Sequence, residues 1–114
     1  MWTERMGYIK NFVDVTAYLN SMDCFHDYRL GNIEIKNDSI VIMIEEDSGN
    51  THNENAHIWD FRFTDISVFK ANVDCIIPPY ITEITIEGNY VMFSLNNGFI
   101  SFYAKNISLG IPKE

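Results

Sequence analysis

From Ile81 onward the chain is punctuated twice by turn residues, and this limits its fold more than any other feature. Ile81 to Glu87 reaches Gly88-Asn89, Tyr90 to Leu95 reaches Asn96-Asn97-Gly98, and Phe99 to Ala104 follows. Gly followed by Asn suits a type II′ hairpin, and Asn-Gly supplies the positive φ of a second tight turn. Three strand-length runs joined in this way predict a C-terminal three-stranded antiparallel meander.

The same period of two appears upstream. Trp59, Phe61 and Phe63 alternate with Asp60 and Arg62, so one face of that run carries three large rings. Ile40, Ile42 and Ile44 alternate with Val41, Met43 and Glu45, the pattern of a strand largely buried on both faces. Leu30, Ile33 and Ile35 bracket an earlier strand with Gly31-Asn32 as a bulge, and Lys36-Asn37-Asp38-Ser39 reads as the turn between the two. Residues 66–73 suit a strand or a helix equally. Pro78-Pro79 interrupts ladder hydrogen bonding and separates two β sections. Only near the start does the period change. Val15, Tyr18, Leu19 and Met22 fall at i, i+3, i+4 and i+7 behind Asp14, which predicts one short capped helix near residues 14–22 after an extended lead-in from Tyr8 to Val13.

With 114 residues the chain has room for one domain, 1–114, and can bury a sufficient core without a disulfide or a metal. Its 16 isoleucines and 12 asparagines supply strand formers and turn formers together. The expectation is a mainly β (α+β) domain. About six antiparallel strands form a small barrel or a two-layer sandwich, with one short helix and the C-terminal meander.

Sixteen Asp and Glu against eight Lys and Arg give a net charge of −8. Such a surface repels nucleic-acid phosphates and anionic lipids, and no two basic residues are adjacent, so neither nucleic acid nor membrane is an expected partner. The longest apolar run, Ile40 to Ile44, is far short of the roughly 20 residues of a membrane helix. The first residues lack the basic-then-apolar order of a secretory leader. The expected location is therefore the cytoplasm, where Cys24 and Cys75, which lack C-x-x-C spacing, read as buried thiols.

Few residues suggest chemistry. Phe25-His26-Asp27 places a histidine beside a carboxylate at the junction of helix and strand, a base with its orienting acid or a pair of structural polar residues. Side chains adjacent in extended chain diverge, which argues against direct His26–Asp27 pairing. His52 and His57 are five apart with Glu54 between, not the i, i+4 spacing of a helical zinc motif. The acidic stretch around Glu45 to Asn50 lacks alternating calcium ligands. Cys24 lies two residues before His26 with no third member of a catalytic set. There is no G-x-S-x-G elbow, phosphate loop or dinucleotide fingerprint, and no cofactor is expected.

The order helix, Phe25-His26-Asp27-Tyr28-Arg29-Leu30, then paired strands resembles a diffuse group of small uncharacterised bacterial β-rich proteins. In that group an aromatic-His-Asp segment precedes a strand hairpin, and the last third is similar to Phe99-Ile100-Ser101-Phe102-Tyr103-Ala104-Lys105-Asn106-Ile107 here. The resemblance spans residues 14–107 and departs at Tyr28, where the group often carries a smaller residue. Some members are regarded as immunity proteins of bacterial toxin systems. The resemblance thus implies a β fold and an immunity-type partner, and carries no catalytic residue.

These readings converge on a non-enzymatic protein-binding module, immunity-type or regulatory, whose partner is another protein of basic character. The expected contacts are Glu45, Glu46, Asp47 and Glu54 on an acidic loop. Two alternatives stand beside it: a small-ligand site in a barrel mouth built from Trp59, Phe61, Tyr80, Tyr90 and His26, and a hydrolase-like or metal-dependent enzyme using His26 and Asp27. The candidate functional site is His26, Asp27 and Trp59. Open sheet edges also allow a homodimer.

Overall fold

The computed structural model describes residues 5–46, 57–73 and 79–112. In chain order the elements are β1 (Arg5–Ile9), α1 (Phe12–Ser21), a tight turn at Asp23–Phe25, β2 (Arg29–Lys36), β3 (Ser39–Glu45), β4 (Ile58–Thr64), β5 (Ser67–Val73), β6 (Ile81–Glu87), β7 (Tyr90–Leu95), β8 (Gly98–Tyr103) and β9 (Asn106–Pro112). The predicted meander is β6, β7 and β8, with each strand antiparallel to the next. Residues 66–73 resolve as a strand from Ser67, and β5 joins the outer side of β8.

Two sheets result, one ordered β1-β9-β4-β3-β2 and the other β5-β8-β7-β6. Ile40, Ile42 and Ile44 of β3 and Phe61 and Phe63 of β4 are fully buried, as are Val91, Phe93 and Phe102 from the second sheet. Rings cross the interlayer space: Phe61 meets Phe93 at 5.7 Å, and Phe63 meets Phe102 at 4.8 Å, both edge to face. The architecture is a two-layer sandwich and not a closed barrel, so the barrel mouth expected as a ligand site does not form.

The described residues hold nine strands against the six expected. β9 is the instructive addition, since it lies between β1 and β4 and completes the core with Ile107, Leu109 and Ile111. Its alternation is disguised by Gly110 and Pro112, which normally argue against a central strand. Pro112 is the last residue of the strand, and a Cβ at position 110 would collide with the carboxylate of Asp60 on β4. Glycine there makes room for a buried acid.

Three local expectations change. The helix cap is Asn11, not Asp14: Asn11 is extended, its Oδ1 accepts the Asp14 N–H at 2.8 Å, and its Nδ2 donates to the Asp14 carboxylate at 2.8 Å. Both residue types cap helices, but only the one before the first helical turn meets the unpaired N–H groups. Gly98 is not in a turn. Asn96-Asn97 form the turn and Gly98 opens β8, where a Cβ would overlap the Asn72 carbonyl. Pro79 cannot donate, yet its carbonyl accepts from Leu30 N–H at 3.0 Å. Together with Ile81 N–H to the Tyr28 carbonyl at 2.8 Å, this bond stitches the start of β2 to the start of β6 and joins the layers along one side.

Candidate functional site

At one end of the sandwich the C-terminal turn of α1, the start of β2 and the facing ends of β3, β4 and β9 leave a groove of about 310 Å³, open to solvent. Tyr18, Met22, Tyr28, Glu46, His57, Trp59, Ile111 and Pro112 line it. The helix contributes because its core stripe is Val15 and Leu19, both buried, which leaves Tyr18 and Met22 on the flank beside the sheet end.

Tyr28 arrives by an unusual route. Asp23, Cys24 and Phe25 have φ of 53°, 53° and 57°, and Asp27 has φ of 70°, all left-handed and none glycine. Each such residue costs roughly 1–2 kcal/mol, so something must hold the turn. Phe25 does. It is fully buried and meets the rings of Tyr28 at 5.1 Å, Trp59 at 5.2 Å and Phe61 at 5.9 Å, each near perpendicular. With Phe25 anchored, the chain reverses and delivers Tyr28 to Trp59 at 5.4 Å.

Two polar pairs lie within the groove. The Trp59 indole N–H donates to the Tyr18 hydroxyl at 2.9 Å. His57 Nδ1 lies 3.1 Å from Glu46 Oε1, and since a carboxylate only accepts, the ring nitrogen carries the proton. Backbone pairing of Glu46 N–H to the His57 carbonyl at 3.0 Å holds the two together. Burial pushes the Tyr28 phenol above its usual range, helped by the negative charge of Glu46 and by Tyr18. The groove therefore offers the half-buried rings of Tyr18 and Tyr28 and one carboxylate.

Of the residues singled out from sequence, Trp59 lines this groove, whereas His26 and Asp27 do not. His26 Nδ1–H donates to the Thr82 carbonyl at 2.9 Å, and both His26 and Asp27 are exposed. Contrary to the argument from extended chain, their side chains do converge, with Nε2 3.5 Å from Oδ2, because the left-handed Asp27 bends the backbone. The carbonyl bond and the Asp27 charge raise the His26 pKa above 6.5.

The four expected acidic contacts separate. Glu45 is the last residue of β3, not a loop residue, and forms an ion pair with Arg29. Glu46 belongs to the groove, and Asp47 and Glu54 lie outside the described residues, as do His52, Cys75 and Pro78. Cys24 is only partly buried, not sequestered as expected. Burial, then Glu83 and Asp23, raise its thiol above 9.0, which suppresses the thiolate that nucleophilic chemistry requires. The other rings of the expected ligand site disperse: Phe61 is in the core, and Tyr90 pairs with Tyr103 at 4.9 Å on the second sheet.

Among the described residues no group of three or more His, Cys, Asp or Glu is placed to hold a metal ion. No helix there is long and apolar enough to cross a membrane. The chain matches no family model, no curated protein and no solved structure.

Proposed function

We propose that this chain is a non-enzymatic protein-binding module of the cytoplasm, immunity-type or regulatory, that anchors a basic partner protein at the groove. The observation that carries the reading is the convergence of Tyr18, Tyr28 and Trp59 on one open groove beside Glu46. Tyr and Trp dominate the energetic centres of protein interfaces because they present large, stiff, amphipathic surface. A net charge of −8 adds long-range attraction for a basic surface and raises the encounter rate. The resemblance to a group with immunity proteins among its members points the same way.

The second reading is a small-ligand site in the same groove. Its favouring observation is the volume, about 310 Å³, at the lower edge of the usual range for such sites. An open groove of that size cannot enclose most of a ligand's surface, which favours a side chain presented by a protein. An enzyme built on His26 and Asp27 needs a concavity with a second acid or base, whereas His26 is exposed and committed to a backbone carbonyl.

The test is capture from a lysate of the source organism on immobilised wild type, Tyr28→Leu and Glu46→Lys. A partner held by wild type, released by added salt and lost from both variants is the expected result. Equal retention on all three overturns the reading.

A further inference from the structure

We infer that the groove takes the guanidinium group of an arginine side chain presented by the partner, stacked against Tyr28 and paired with Glu46. This deepens the binding reading above and rests on it. The class of guest follows from what the groove can and cannot offer. Its two ring N–H donors are spent inside the protein, Trp59 on Tyr18 and His57 on Glu46. Among the described residues that line the groove there is no Lys or Arg, and an anion would meet the Glu46 carboxylate.

A cation meets the opposite conditions. Trp59 is buried and meets Tyr28 edge to face at 5.4 Å and 73°, so the half-buried rings of Tyr28 and Tyr18 are the aromatic surface left to a guest, and a ring face carries negative quadrupole potential. Glu46 is fixed at the mouth through Oε1, and among the described residues Oε2 has no hydrogen-bond partner.

Arginine fits better than lysine. Its guanidinium is planar, weakly hydrated and able to stack on a ring while donating in its own plane to a carboxylate. An ammonium needs more of its hydration shell than a small half-open groove can replace.

The experiment is a ¹H–¹⁵N titration of the whole chain with three capped tripeptides, Gly-Arg-Gly, Gly-Lys-Gly and Gly-citrulline-Gly, the last a neutral isostere of the first. The arginine peptide should shift the Trp59 indole and the Tyr28, Glu46 and His57 amides saturably, with a Kd on the order of millimolar for one anchor side chain. The citrulline peptide should bind about tenfold or more weakly, and the lysine peptide should fall between them. Glu46→Gln, which keeps the shape of the groove, should cost the arginine peptide about tenfold. Equal affinity for arginine and citrulline, or shifts confined to residues outside the groove, overturns the cation assignment. Equal affinity for arginine and lysine overturns the guanidinium. Either result leaves the docking reading to be decided by the capture experiment, which uses no peptide.

Discussion

The indole N–H of Trp59 on β4 donates to the hydroxyl of Tyr18 on α1 at 2.9 Å, across 41 residues of sequence. The bond makes the groove a joint feature of helix and sheet, because removing either partner frees the helix end from the sandwich end. Tyr18→Phe leaves a buried indole donor without its acceptor and should destabilise the fold by about 1–2 kcal/mol in urea titration. Trp59→Phe should cost more through lost packing, and the double variant should show coupling of roughly 1 kcal/mol. Strict additivity would mean that the bond does not tie the elements together.

Val68 and Gly98 should respond oppositely to changes at the Cβ. Val68 is β-branched with φ of 53° in the irregular part of β5 and is 59% exposed. Val68→Gly removes left-handed strain and little packing, and should stabilise by about 1 kcal/mol. Loss of stability in that variant would contradict the strain.

At Gly98, φ is 151° and the missing Cβ is the space taken by the Asn72 carbonyl. Gly98→Ala must push β5 away from β8 and should destabilise by more than about 2 kcal/mol, read from the same denaturation curves. A neutral substitution would show that the two strands separate without cost.

His26 supplies a pH signature. Its pKa is raised above 6.5, first by the Thr82 carbonyl and then by Asp27. A folded-state pKa above the unfolded one means that the His26 contribution to stability is complete below pH 6.5 and is lost as pH rises through the folded value. A histidine NMR titration should place His26 above 6.5, and Asp27→Asn should lower it only part of the way, since the carbonyl bond remains. Titration at or below 6.5 would contradict the geometry.

What could be read from sequence was what local chemistry controls. The meander was legible because Gly88, Asn89, Asn96 and Asn97 sit between strand-length runs, and the β4 rings because alternation places Trp59, Phe61 and Phe63 on one face. β9 was hidden by Gly110 and Pro112, whose reasons lie in the neighbouring Asp60 and in the end of the strand. Trp59 stood out in the sequence, but the residues that join it at the groove did not. Tyr18 reads as part of a helical stripe and Tyr28 as a strand leader, and only the left-handed turn anchored by Phe25 brings Tyr28 to Trp59. No period in the sequence announces a turn of that hand built from Asp, Cys and Phe.

The central claim, that the groove is where a partner docks, is tested most directly by site-specific photocrosslinking in the source organism. A benzoylphenylalanine at Met22 lies on the groove, and one at the exposed Thr85 of β6 serves as control on the other sheet. The predicted result is a discrete protein adduct from position 22, diminished when Glu46→Gln is added, and none from position 85. An adduct from position 85 with none from position 22 would contradict the account.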